Sequence, residues 1–214
     1  MRHEAVGTES SGTAADLAEP LTPRGAAKAT RRRTLLDAAA GLFARRGFNG
    51  VTMDELGMAA GVSGPAVYRH FAGKQAVLAA LLVGVSEDLL AGGTDVVERA
   101  PDPHEALHAL IRFHVAFALG KPDVIRVQDR DLDSLAVPER RAVRSLQRRY
   151  IELWMGVLAQ LRPELAPEQL RFRVQATFGL INSTPHSVGL RARSDDAAAV
   201  RPVLEQMAWA GLSG

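Results

Sequence analysis

Two stretches of the chain carry residue types at spacings that chemistry could use. The first is His104-Glu105-Ala106-Leu107-His108. Two histidines four residues apart share one face of a helix, where both imidazoles can hold a zinc ion while the intervening glutamate activates water. That is the chemistry of a metal-dependent hydrolase. The surroundings do not complete it. The motif follows directly on Pro103, in the first turns of a helix, and no third ligand or substrate-binding strand accompanies it. The hydrolase therefore stands as an alternative, and we expect no catalysis, no bound metal and no cofactor.

The second stretch, residues 52–71, suits a different task. Thr52 and Glu55 stand three apart ahead of an apolar run, the spacing of a capping box, so a helix begins at about Met53. Gly61 can take the left-handed conformation that closes a helix, Ser63 is placed to cap the next one, and Pro65 falls in its first turn, where no N–H is needed. The following helix carries Ala66, Val67, Tyr68, Arg69, His70 and Phe71. Two helices around a glycine turn make a helix-turn-helix, whose second helix enters the DNA major groove. At its start Ser63, Gly64, Pro65 and Ala66 are small enough to approach base edges and thymine methyls. Tyr68, Arg69 and His70 reach further, Arg69 toward a guanine edge or a phosphate. The Thr52 hydroxyl is placed to add a phosphate contact, and Phe71 should close the core.

Charge supports this locally. Net charge over 214 residues is +2, yet the span from Arg24 to Arg46 holds seven Arg or Lys and one acid, Asp37. Arg31, Arg32 and Arg33 can meet phosphates or the minor groove as a basic arm does, or can lie on a solvated face. Just ahead of a reader, we expect Arg31 and Arg32 to touch DNA. Apolar residues at 47% provide a core, while few aromatics and abundant Ala and Leu favour helices. The absence of cysteine excludes disulfides and thiol chemistry. We expect neither a signal peptide nor a membrane span, hence a cytoplasmic protein.

Arg33-Thr34-Leu35-Leu36-Asp37-Ala38-Ala39, Leu42-Phe43-Ala44-Arg45-Arg46-Gly47-Phe48, Val51-Thr52-Met53, Ala59-Ala60-Gly61-Val62-Ser63, and Val67-Tyr68-Arg69-His70-Phe71 with Lys74 together resemble the N-terminal domain of the TetR family of bacterial transcriptional regulators. Within that family the chain is similar to the actinobacterial regulators of fatty-acid and sterol metabolism. The resemblance implies that Tyr68 and Lys74 contact phosphates. It also implies that the last two helices pair with those of a second subunit, and that the second half binds a small acyl or sterol-derived effector.

The elements that must position these residues read as helices throughout. Leu35, Ala39, Leu42 and Phe43 share one face of a first helix over residues 30–46, which Gly47 stops. After Gly73-Lys74 a long helix with Val77, Leu78, Leu81, Leu82 and Val85 should run to about Leu90, with Gly92-Gly93 ending or kinking it. Further amphipathic helices are expected over residues 103–120, 123–132 and 139–161, from Leu170 to near Pro185, and from Asp195 or Asp196 onward. The run Asn182-Ser183-Thr184-Pro185-His186 reads equally as a helix end or as a kink lining a cavity. His114 is either a core histidine bonded to a carbonyl or a polar group in a pocket. Helical bundles hold ligands between helices, in apolar cavities with a few polar groups. Phe113, His114, Phe117, Gln128, Tyr150, Trp154, Phe178 and Asn182 are the candidates to line one.

The expectation is an all-α protein of about nine helices, with an N-terminal three-helix helix-turn-helix domain and a C-terminal bundle for ligand binding and dimerisation. Residues 1–27 would form a disordered tail, 28–75 the DNA-binding domain with a linker helix to about residue 91, and 76–214 the effector and dimerisation domain. The function expected is a homodimeric, ligand-responsive repressor that binds a double-stranded DNA operator and a small, largely apolar effector. An architectural DNA binder without effector is a third reading, and a core without a cavity would favour it.

Overall fold

Ala- and Leu-rich stripes fold into helices across residues 23–186 and 194–214, the parts of the chain that the computed structural model describes. In order these are α1 (Pro23–Arg46), α2 (Met53–Ala59), α3 (Gly64–Tyr68), α4 (Lys74–Glu98), α5 (Pro103–Gly120), α6 (Pro122–Asp131), α7 (Val137–Leu161), α8 (Pro167–Asn182) and α9 (Ser194–Ser213). Short 3₁₀ turns at Leu132–Ser134 and Thr184–His186 follow α6 and α8, and no strand occurs among the described residues. The first helix starts at Pro23 rather than Thr30, because Ala26, Ala27 and Ala29 favour helix without needing burial. Residues 23–27, expected within a disordered tail, are therefore helical, and residues 1–22 lie outside the described residues.

Two apolar cores divide the molecule. The first gathers Leu35, Ala39 and Phe43 of α1, Leu56 of α2, Val67 of α3 and the N-terminal half of α4 as far as Leu82. It also takes Val124 and Val127 from α6 and Val143 from α7, so the reader's core extends past residue 75 and draws on the second half of the chain. The second core is built on Leu107, Leu110, Ile111, Trp154, Leu158, Val174 and Ile181, with Leu204, Ala208 and Leu212 of α9 closing one side.

Helix α4 serves both. Gly92-Gly93 neither ends nor kinks it, contrary to expectation; it continues to Glu98. The glycines are there for space. A Cβ on Gly92 would fall 2.4 Å from Phe113 Cζ, and one on Gly93 would fall 2.5 Å from Tyr150 Cε2, so two aromatic rings rest directly on the backbone of α4. Helix α4 is also long and apolar enough to cross a membrane by length and composition, which corrects the expectation that no stretch would be. It carries Glu87 and Asp88 at midspan and packs against α5 and α7.

Two glycine substitutions in α4 should have opposite signs. Helix propensity favours alanine by about 1 kcal/mol at either site. At Gly84 a Cβ meets nothing within 4 Å, so Gly84→Ala should stabilise. At Gly93 the collision with Tyr150 costs about 1–3 kcal/mol and outweighs that gain, so Gly93→Ala should destabilise. Urea unfolding at matched protein concentration checks both.

Candidate DNA-reading face and effector cavity

The reader is assembled from local signals. Thr52 caps α2: its hydroxyl accepts from Glu55 N–H at 3.3 Å, and its own N–H donates to Glu55 Oε2 at 2.8 Å. Arg46 at the end of α1 donates to Glu55 Oε1 at 2.7 Å, which ties α1 to α2. The Thr52 N–H and then the Arg46 guanidinium hold the Glu55 carboxyl down to about 2. The Thr52 hydroxyl also donates to Glu55 Oε2 at 2.9 Å, so its single proton is already committed. A phosphate contact by this hydroxyl would take the place of that bond. Gly61 takes φ +69° and turns the chain into α3. Ser63 stands at the N-cap position but makes no side-chain capping bond.

Helix α3 is a single short segment that ends at Tyr68, so Arg69 and His70 lie in the turn after it. Val67 and Phe71 are buried against the first core, which leaves Ser63, Pro65, Tyr68 and Arg69 outward, Tyr68 at 56% exposure. Gly64 and Ala66 are half-buried beside them. His70 turns its Nδ1 inward, without a hydrogen-bond partner among the described residues. The Arg32 guanidinium lies 4.9 Å over the Phe71 ring and Lys74 Nζ lies 4.6 Å over Phe48, so both cations are pinned at the reader's base; Arg31 is exposed on α1.

Between α4, α5, α6, α7 and α8 lies a cavity of about 150 Å³. Six of the sequence candidates line it: His114, Phe117, Gln128, Tyr150, Phe178 and Asn182. Two do not. Phe113 packs on Gly92, and Trp154 is wholly buried behind the wall, its ring edge-on to Phe178 at 5.0 Å. Ser86 and Leu89 of α4, Val124 and Ile125 of α6, and Gln147 and Ile151 of α7 complete the lining. The sequence offered little to find these six: Leu89, Val124, Ile125 and Ile151 look like any core residue on an apolar stripe, and Ser86 and Gln147 look like helix surface.

The cavity's polar wall is a relay. Asn182 Oδ1 lies 3.2 Å from His114 Nε2, and the Tyr150 hydroxyl lies 3.4 Å from Nδ1. A carbonyl oxygen can only accept, so Nε2 carries the proton, Nδ1 is bare, and Tyr150 donates to it. Burial pushes the His114 imidazole down to about 4 and the Tyr150 hydroxyl up, so both are neutral across the physiological range. His114 is thus a cavity group bonded to a side-chain carbonyl. At the C-terminal end of α8, Asn182 joins this wall, whereas His186 turns away to Asp129 at 3.0 Å.

Helix α6 joins cavity to reader. One of its faces lends Val124, Ile125 and Gln128 to the cavity. From its end Arg130 donates to the carbonyls of Phe43 and Ala44 in the last turn of α1, 3.2 Å to the latter, while pairing with the buried Asp131 carboxylate at 3.0 Å. Lys121, just before α6, pairs with Asp37 of α1 at 3.1 Å. The run Asp129-Arg130-Asp131 stood out in the sequence only as charge, because nothing local says which helix end it will meet.

The zinc-type motif is used otherwise. The His108 ring stacks on Trp209 of α9 at 3.8 Å, His104 meets the same indole at 4.6 Å, and Glu105 turns to Arg112 at 4.0 Å. No group of three metal-capable side chains occurs among the described residues. The pair fastens α9 to α5.

A helix-turn-helix with one free face is the arrangement of a DNA-binding regulator, and here it is joined to a helical bundle that holds a cavity. The sequence pattern of "Bacterial regulatory proteins, tetR family" matches residues 35–81, and that of "Tetracyclin repressor-like, C-terminal domain" matches residues 100–186. The chain belongs to the TetR family of DNA-binding transcriptional regulators. It is 32% identical over 132 residues to the HTH-type transcriptional repressor KstR2 of Rhodococcus jostii strain RHA1, covering 61% of this chain and 65% of that repressor, just under two thirds of its length. Its fold matches a TetR-family regulator from Bordetella parapertussis (TM-score 0.75, 25% identity, 86% of this chain and 94% of that one). It also matches the ketosteroid transcriptional regulator KstR2 of Mycobacterium tuberculosis (TM-score 0.70, 24% identity, 86% and 94%).

The Glu55 carboxyl is held below its ordinary value in the folded chain. The stability it lends is therefore present above the unfolded carboxylate range and lost as pH falls toward about 2. Glu55→Gln should lower the urea midpoint at neutral pH, and variant and parent should converge between about pH 4 and 2.

Proposed function

We propose that this regulator is a homodimeric repressor that leaves its operator when a small, largely apolar effector fills the cavity between α4 and α8. The observation that carries this reading is α6, which walls the cavity on one side and bonds the last turn of α1 on the other. An effector that favours a displaced α6 would loosen Arg130 from α1 and alter how the two readers sit. It can shift that balance only by its differential affinity for the two arrangements.

A second subunit is supported by α8 and α9. Phe172, Val203 and Met207 stand 72%, 53% and 49% exposed along their outer faces, among small residues such as Ala176, Gly179, Ala210 and Gly211. Pairing those faces would bury them in a two-fold interface. Short, small-residue readers bind weakly alone, and a dimer on two half-sites recovers affinity. Tyr68 and Lys74 are the proposed phosphate contacts, with Ser63, Gly64, Pro65, Ala66 and Arg69 against the bases and Arg31 and Arg32 near the backbone. The likeness to the ketosteroid regulator of Mycobacterium tuberculosis favours a sterol-derived effector, with an acyl compound as the alternative. The reading makes the chain a cytoplasmic regulator and not an enzyme.

Mobility shift with the DNA upstream of its own gene, at two salt concentrations, tests the reader. Tyr68→Ala should weaken binding with stability unchanged within about 0.5 kcal/mol, since the side chain is outward. Lys74→Ala should lower the slope of log K against log salt by about one per subunit. Full binding in both variants would sink the assignment. For the coupling, Arg130→Ala removes the contact that the effector would loosen: effector binding, read by calorimetry, should be kept, while DNA binding is weakened without effector and changes little when it is added; parent-like DNA binding and release would remove the Arg130 contact from the mechanism.

A further inference from the structure

The cavity's lining also specifies the charge of what it takes, an inference that rests on the effector reading above. The polar groups facing it are Ser86, His114, Gln128, Gln147, Tyr150 and Asn182, and no Lys or Arg is among the described lining residues. His114 is wholly buried, which keeps its imidazole neutral, and both ring nitrogens already have partners in Asn182 and Tyr150, so it does not stand in the cavity as a counter-ion. Ser86 donates its only proton to Leu82 O at 2.7 Å, so its oxygen can only accept. What remains to offer is the Asn182 amide N–H pair, the lone pairs of the Tyr150 oxygen and the two glutamine amides.

That set suits a carbonyl, which accepts from Asn182, or a hydroxyl, which accepts there and donates to Tyr150. It does not suit an anion. A carboxylate would lose its hydration against Phe117, Phe178, Ile125 and Leu89 without meeting a cation. We propose that the buried end of the effector is an uncharged oxygen function, such as a ketone, hydroxyl, ester or thioester carbonyl, and that the Tyr150–His114–Asn182 wall rejects free carboxylic acids.

Isothermal titration of the full-length protein near neutral pH, with methyl decanoate, decan-2-one and progesterone against decanoate and deoxycholate, tests this. The neutral probes should bind at least about tenfold more tightly than the anions, the penalty for a buried unpaired charge. Gln147→Arg, which adds a cation to the lining, should raise affinity for decanoate and narrow that gap; a merely structural role for the lining predicts no such gain. Anions that bind as well as the neutral probes, or a Gln147→Arg protein with an unchanged gap, would overturn the proposal while leaving the cavity a binding site. If none of the five binds, the effector reading itself fails and the proposal falls with it.

Discussion

Aromatic rings packed directly on the backbone of α4 hold the two halves of this molecule in one register. Phe113 rests on Gly92 and Tyr150 on Gly93, at distances that leave no room for a methyl group. Close packing transmits displacement because it leaves no slack to absorb it. Tyr150 is also the cavity's wall and the donor to His114. A molecule that moves this ring therefore presses on the helix whose first half belongs to the reader's core, with no intervening flexible segment.

Helix α6 supplies the second connection, and it differs in kind. The final carbonyls of an α-helix have no intrahelical partner and carry the negative end of its dipole. Arg130 donates to the Ala44 carbonyl at the end of α1 and shares the Phe43 carbonyl with the Gly47 N–H, with Asp131 holding its guanidinium in place. The α4 connection is continuous chain and can bend but not part. The α6 connection combines apolar packing, Val124 and Val127 in the first core, with the Arg130 hydrogen bonds, which water can replace.

Much of the reader was legible in the sequence because its determinants are local. The Thr52–Glu55 box, the turn at Gly61, the burial of Val67 and Phe71 and the exposure of Tyr68 each depend on a few neighbouring residues. The misreadings arose where distant residues decide. Gly92-Gly93 looked like a breaker, since only the rings of Phe113 and Tyr150 reveal that the missing side chains make room. Trp154 shares a stripe with Tyr150 yet falls one layer behind the cavity, a matter of rotation about α7 that periodicity alone does not resolve. His104 and His108 have metal-ligand spacing, but Trp209, a hundred residues away, determines what they touch.

The chain has two tryptophans, and the fold sends them to different places. Trp154 lies behind Tyr150 and Phe178, in contact with the rings that line the cavity. Trp209 lies under the His104–His108 pair, on the helix that closes the second core. Indole emission depends on what surrounds the ring. The native protein thus contains two intrinsic optical reporters, one at the seam between α5 and α9 and one in the bundle's interior. With Trp209 replaced by phenylalanine only the second is left, and light that then changes on titration with a small molecule comes from beside the cavity.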